Sequence, residues 1–125
     1  MSFYAELVLE ERVYRVHAFY FSVGRSTNAK GQPDSPPAWR LDLTVDSVND
    51  TTLTKWMIDP AKQMDGHVSV FKTAAGEVLK KFAFKQAFCY RLYDRFIPAL
   101  SEASCYLLIG GEEIHIGNSK LASGQ

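Results

Sequence analysis

Only two cysteines, Cys89 and Cys105, occur in this 125-residue sequence, too few for the disulfide framework of a small secreted domain. A reducing compartment is expected, with both thiols packed as small apolar groups beside Phe88, Tyr90 and Tyr106. No charge surplus exists either, since Lys+Arg and Asp+Glu each number 14. That balance argues against nucleic acid or an acidic membrane surface as partner. No apolar run approaches the roughly 18 residues of a membrane span, so no membrane insertion is expected. The start, Met1-Ser2-Phe3-Tyr4-Ala5-Glu6, lacks the basic segment and apolar core of a signal peptide.

Reactive constellations are missing too. His17, His67 and His115 fall on separate strands with no partner at ligand spacing, so no metal and no cofactor are expected. The run Gly24 to Gly31 has glycines but fails as a phosphate loop, because the lysine should follow the second glycine and a Ser or Thr should follow the lysine. Glu112 and Glu113 are adjacent, so on a strand they point to opposite faces and cannot share a substrate. Asp46, Asp50 and Asp59 bracket a helix, where capping accounts for at least one of them. No catalytic residue is assigned, and an enzyme is not expected.

Alternation is what fills the sequence. Phe3, Ala5, Leu7 and Leu9 share one face of a first strand. A second runs from Val13 to Val23, with Arg15, His17, Phe19 and Phe21 on one side and Tyr14, Val16, Ala18 and Tyr20 on the other. Both sides are largely apolar near the middle, as in a strand covered on two faces. Gly24 to Ala38 then carries three prolines and almost no apolar side chain, and is expected to be a long extended loop. Trp39, Leu41, Leu43 and Val45 resume a half-exposed strand.

One short helix is expected over 50–58, capped by Asn49 or Asp50 and stopped at Asp59-Pro60. At about two turns it cannot stand alone and must dock its Leu53, Trp56 and Met57 stripe on a sheet. Strands follow from His67 to Thr73, from Val78 to Phe96 with a bulge or break at Gln86-Ala87, and from Ser104 to Ile116. Gly110-Gly111 in the last is a hairpin turn or a bulge. If the last two strands form a simple hairpin, Cys89 lies opposite the region of Gly110 and not Cys105, so no disulfide is expected. Residues 117–125 read as a small, polar, flexible tail. The fold class is mainly β, a single domain whose strands are spaced for a β-barrel or sandwich with one short helix and a long loop.

Two tryptophans, six tyrosines and eight phenylalanines pack a domain of this size. The exception is the two-faced strand, where Phe19, Tyr20 and Phe21 suggest contact with another chain. Taken alone the 24–38 loop reads as a mobile surface loop; beside the two-faced strand it is expected to order against a neighbouring subunit. Arg25, Lys30 and Asp34 are its candidate polar contacts, Trp39 anchors it where it rejoins the barrel, and Phe19 and Phe21 are candidate apolar contacts.

Certain segments resemble a known family. Met1-Ser2-Phe3-Tyr4-Ala5-Glu6-Leu7-Val8-Leu9, Leu41 to Ser47, Asp50-Thr51-Thr52-Leu53-Thr54-Lys55-Trp56-Met57-Ile58-Asp59-Pro60 and Glu113-Ile114-His115-Ile116-Gly117 are similar to the type VI secretion tube protein, also called haemolysin-coregulated protein, Hcp or TssD. The resemblance implies a β-barrel of two packed antiparallel sheets with one flanking helix, in a structural subunit that forms hexameric rings, which stack into a tube inside a contractile sheath. Its implied partners are copies of itself, sheath and spike proteins, and effector proteins held in the ring lumen. It further implies a cytoplasmic protein that is secreted when the apparatus fires, and it supplies no catalytic residue. The competing readings are a small-molecule-binding β-barrel, a non-secreted oligomeric scaffold and an enzyme of unidentified class.

Overall fold

Two strands serve two sheets each, and this sharing shapes the molecule. The computed structural model describes residues 3–25, 27–33, 38–47, 51–72, 76–111, 113–117 and 119–122. Its strands are β1 (Phe3–Leu9), β2 (Arg12–Gly24), β3 (Ala38–Asp46), β4 (Met64–Lys72), β5 (Glu77–Ile97), β6 (Glu102–Gly111), β7 (Glu113–Ile116) and β8 (Ser119–Ala122), with one helix, α1 (Thr52–Ile58). All pairings are antiparallel, in the order β4-β1-β2-β3-β6-β5-β7-β8, and β4 also pairs with β5 to close a barrel.

The first half of β2 pairs with β1, from Leu9↔Arg12 to Ala5↔Val16, and its second half pairs with β3 as far as Gly24↔Ala38. Likewise β5 pairs with β4 and β7 along its first half and with β6 along its second. Sheet A is thus the second half of β2, then β3, β6 and the second half of β5. Sheet B contains the first half of β2, β1, β4, the first half of β5, β7 and β8. Strands crossing between packed sheets do so through bulges, and the register shifts at Val16/Ala18 in β2 and at Cys89/Arg91 in β5.

The bulge in β2 corrects one sequence expectation. Tyr14 and Val16 are buried, but after the shift Phe19 and Phe21 turn inward and Ala18 and Tyr20 outward. Much of the two-faced apolar pattern is therefore a change of phase within one strand, each half facing the same interior. That interior is filled by its own side chains, among them Leu7, Trp39, Leu41, Leu43, Trp56, Leu107, Ile109 and Ile114, all without solvent exposure.

Helix α1 docks as its spacing requires. Leu53 and Trp56 are buried, and the Trp56 indole N–H donates to the Ala87 carbonyl at 3.1 Å. The expected caps Asn49 and Asp50 lie outside the described residues; Thr51 holds the N-cap position without a side-chain hydrogen bond. Gln86 breaks the regular backbone with φ 52°, and its N–H donates to Asp65 Oδ1 at 2.8 Å. Gly110-Gly111 is neither a turn nor a bulge. Both lie at the end of β6, opposite Arg40 and Trp39 of β3. A Cβ on Gly110 would meet Arg40 Nη1 and the Trp39 carbonyl at 2.8 Å, so the glycine leaves room for Arg40 to lie across β6.

Two boundaries also change. Gly24 and Ala38 are paired strand residues, so the loop between them is shorter than 24–38. The expected tail 117–125 contains β8, which pairs with β7 from Ile116↔Ser119 to Glu113↔Ala122.

Candidate assembly surfaces

Sheet A is four strands wide, and both of its outer edges lack a strand partner among the described residues. Beyond Val16 the β1 side of β2 is unpaired, because β1 continues through Tyr4 and Phe3 along β4 alone. Beyond Ala87 the β4 side of β5 is unpaired. Such edges present rows of backbone donors and acceptors ready for another strand. Large apolar side chains gather beside them: Tyr20 is 73% exposed on β2, and Tyr93 and Phe96 are 53% and 64% exposed on β5. Leu100, in the 3-10 turn Pro98–Leu100 that ends the β5–β6 hairpin, is also exposed.

Residues directly opposite across strands share a face, so Tyr20, Arg40, Asp42, Tyr93 and Tyr106 all lie on the side of sheet A away from the core. They hold one another in place. The Arg40 guanidinium lies over the Tyr90 ring at 4.7 Å while Nη1 donates to the Trp39 carbonyl at 2.8 Å. Tyr93 stacks on Tyr106 at 4.9 Å, and the Tyr106 hydroxyl donates to Asp42. That hydrogen bond is the largest cause of a Tyr106 pKa pushed up to about 12, with desolvation second. The surface is preordered before any partner arrives.

Phe19 and Phe21 are partly buried, packing on Phe82 with ring centroids 5.5 and 5.3 Å apart. Trp39 does not fit the sequence expectation of a subunit contact. It is fully enclosed in its own barrel beside Phe84, with ring centroids 6.0 Å apart, and offers no surface to a neighbour. It does mark where the loop rejoins the barrel, although its indole N–H finds no acceptor among the described residues.

Arg25 and Lys30 are exposed in the β2–β3 connection, and Asp34 lies outside the described residues. The described part of this arm is a small closed turn. Thr27 bridges to Pro33, and Asn28 Oδ1 accepts from the N–H groups of Lys30 at 2.9 Å and Gln32 at 3.1 Å. Sequence reasoning missed Tyr93, Phe96 and Leu100, because exposure at an unpaired edge has no periodic signature.

The titratable groups are scattered. His17 bonds Asp46 on sheet A, His115 lies 3.2 Å from Glu113 on β7, and burial, with Lys81 nearby, lowers the His67 pKa. Among the described residues no three potential metal ligands cluster. Burial pushes the Cys89 thiol up to about 11, and burial followed by the Asp94 charge pushes Cys105 up to about 12. Both cysteines are free, and no helix among the described residues is long and apolar enough to cross a membrane.

Comparison with known proteins places this geometry. A search of curated protein sequences finds no match. Among solved structures the fold is similar to that of Hcp1 from Flavobacterium johnsoniae, with 21% identity, a TM-score of 0.82 and coverage of 95% of this chain and 98% of that one. Hcp1 from Salmonella typhimurium is similar at 10% identity, TM-score 0.72 and coverage of 93% and 86%. A chain of the sheath-tube complex of an extracellular contractile injection system is similar at 13% identity, TM-score 0.58 and coverage of 90% and 87%. The model of the family TssD, hemolysin coregulated protein Hcp, matches residues 1–123. Over nearly its whole length, then, this chain belongs to the TssD family of tube proteins.

Proposed function

We propose that this chain is the subunit of a secretion tube and that its copies join head to tail into six-membered rings through the two open edges of sheet A. The observation that carries the reading is the parity of that sheet. Four alternating strands leave β2 and β5 antiparallel at opposite edges. A copy related by rotation alone therefore brings its β2 beside β5 as an ordinary antiparallel neighbour, and no edge is left over once the ring closes.

Rings stack through their rims, where the arms carrying Arg25 and Lys30 project, and Asp34 belongs to the same connection. Phe19 and Phe21, partly exposed beside the β2 edge, serve the lateral contact. An arm adds area that a bare barrel needs to reach the roughly 1,000 Å² of a stable interface. Zero net charge limits repulsion as copies accumulate along a tube. Sheath, spike and effector proteins are the further partners of this reading, in a protein that acts in the cytoplasm until it is secreted.

Native mass spectrometry over a range of micromolar concentrations, with negative-stain images, tests it. Rings or tubes are the expected result. A monomer at every concentration, without rings in the images, overturns it.

A further inference from the structure

We propose that the end of the β5–β6 hairpin of one copy docks in the notch between β1 and β2 of the next copy, pairing Ala18–Gly24 with Arg91–Ile97 in a single register. This rests on the ring reading above and adds which residues meet. Beyond their bulges the two free edges offer regular runs of equal length. On β2 the free run begins at Ala18, because β1 takes over that edge at Val16, and ends at Gly24. On β5 the edge is free from Phe88, and past the register shift at Cys89/Arg91 its regular run extends from Arg91 to Ile97, where Pro98 turns the chain away from the sheet.

Side-chain parity agrees with full overlap. Antiparallel pairing of these runs sets Ala18 opposite Ile97, Tyr20 opposite Arg95, Ser22 opposite Tyr93 and Gly24 opposite Arg91. All of these face away from the core in their own copies, as their β3 and β6 partners require. A slip of one residue would set inward against outward residues along the whole seam. Strand tilt agrees as well. A line across sheet A passes Tyr20, Asp42, Leu108 and Arg91 and would meet Gly24 of the next copy, four residues further along β2 than its start. One residue of offset per strand is the offset that tilts the strands of closed eight-stranded barrels by about 36°.

The notch supplies the apolar contact. Where β1 and β2 diverge, Phe3, Ala5, Val16, Phe19 and Val70 line an open cavity of about 350 Å³. The proposed register places Phe96, 64% exposed in the single chain, opposite Phe19 at this opening, with Leu100 just beyond it. Charge complements the fit. Asp94 falls opposite Phe21, whose ring lies 5.3 Å from Phe82, and the Lys80 ammonium sits 5.4 Å over that same Phe82 ring. The Asp94 carboxylate, which bonds the Cys105 thiol in its own copy, thus arrives on the side of the seam where the Lys80 ammonium of the next copy lies.

Cross-linking tests the register in the full chain. Within one copy Ala18 and Ile97 stand on opposite edges of sheet A, roughly 20 Å apart, three strand spacings across and four residues along, because Ala18 aligns through Thr44 and Tyr106 with Tyr93, so any disulfide joining them links two copies. The pair Ala18→Cys/Ile97→Cys is expected to give, on mild oxidation near neutral pH, a non-reducing ladder ending at the ring. The pair Ala18→Cys/Arg95→Cys lies on the diagonal at roughly 7–8 Å, beyond the Cα separations of about 4.4–6.8 Å that disulfides tolerate, and is expected to give none. The buried Cys89 and Cys105 stay reduced in both. If the parent forms rings and the diagonal pair links better, or neither pair links, the register is overturned while the ring reading stands. If the parent is only monomeric, both fall.

A second measurement addresses the notch and the charge pair. Phe96→Asp and Asp94→Lys are each expected to raise the concentration for half-assembly by at least about tenfold with an unchanged circular dichroism spectrum, and Lys80→Asp is expected to restore Asp94→Lys. Unchanged assembly in Phe96→Asp overturns the notch contact, and failed rescue overturns the charge pair.

Discussion

Two parts of this molecule project from its barrel, and they are built on opposite principles. The β2–β3 arm is polar and satisfied within itself, its described turn closed by Asn28 and the Thr27–Pro33 bridge. The β5–β6 hairpin end is regular strand, yet it leaves Tyr93, Phe96 and Leu100 in solvent. A missing pattern draws attention to the first; the second is unremarkable as sequence. Exposed apolar surface on rigid backbone is the stronger sign of docking, because a rigid element loses little conformational freedom when it binds. The arm's polar contacts can position a neighbour but supply less free energy in water.

The largest effect should come from breaking the body that holds both projections. Trp56→Ala is expected to cost roughly 3–5 kcal/mol, read as a shift in the denaturant midpoint, and a neutral result would show that the helix does not need its buried ring. Next comes the hairpin end: Tyr93→Ser with Phe96→Ser should weaken assembly by at least about tenfold, while stability falls only by the worth of the Tyr93–Tyr106 stack, about 0.5–1.5 kcal/mol. Analytical ultracentrifugation across a dilution series gives the midpoint. Deletion of Gln32–Pro37 should weaken assembly less than the hairpin change and leave the barrel folded. If ring formation is untouched, the arm has no part in assembly.

Smaller effects sharpen the contrast. Asn28→Ala should loosen only the arm turn, by about 1 kcal/mol or less, seen as faster amide exchange at Lys30 and Gln32. On sheet A, Tyr106 has its pKa raised from 10.0 to about 12, chiefly by its hydrogen bond to Asp42. Its neutral form is favoured in the folded chain, so its contribution is complete below pH 10 and is lost as pH climbs through about 12. Tyr106→Phe loses that contribution below pH 10 and should therefore flatten the fall in stability across the alkaline window. Cys89 and Cys105, raised in the same direction, leave a residual slope in the variant.

Much of the body was legible in the residues. Alternation from Trp39 to Val45 placed β3, and the Leu53, Trp56 and Met57 spacing placed a helix that had to dock. Cys89 lies opposite Ile109, next to the expected Gly110. Three features were hidden for physical reasons. The bulge at Val16/Ala18 switches the inward set from even to odd positions, and a fixed period reads that as two apolar faces. β8 is a short polar segment whose order comes from pairing with β7. The open edges of sheet A follow from which strands pair, and periodicity is blind to partner choice. Trp39 misled for another reason, since its place at the loop boundary said nothing of the enclosed site it fills.

The antiparallel run of β2 against β5 has one more result. The arm continues from the far end of β2 and the hairpin turn from the far end of β5, so they leave sheet A in opposite directions. Every ring then wears its arms on one crown and its hairpin turns on the other. A pile of such rings has a front and a back, a polarity written into each copy before the first contact forms.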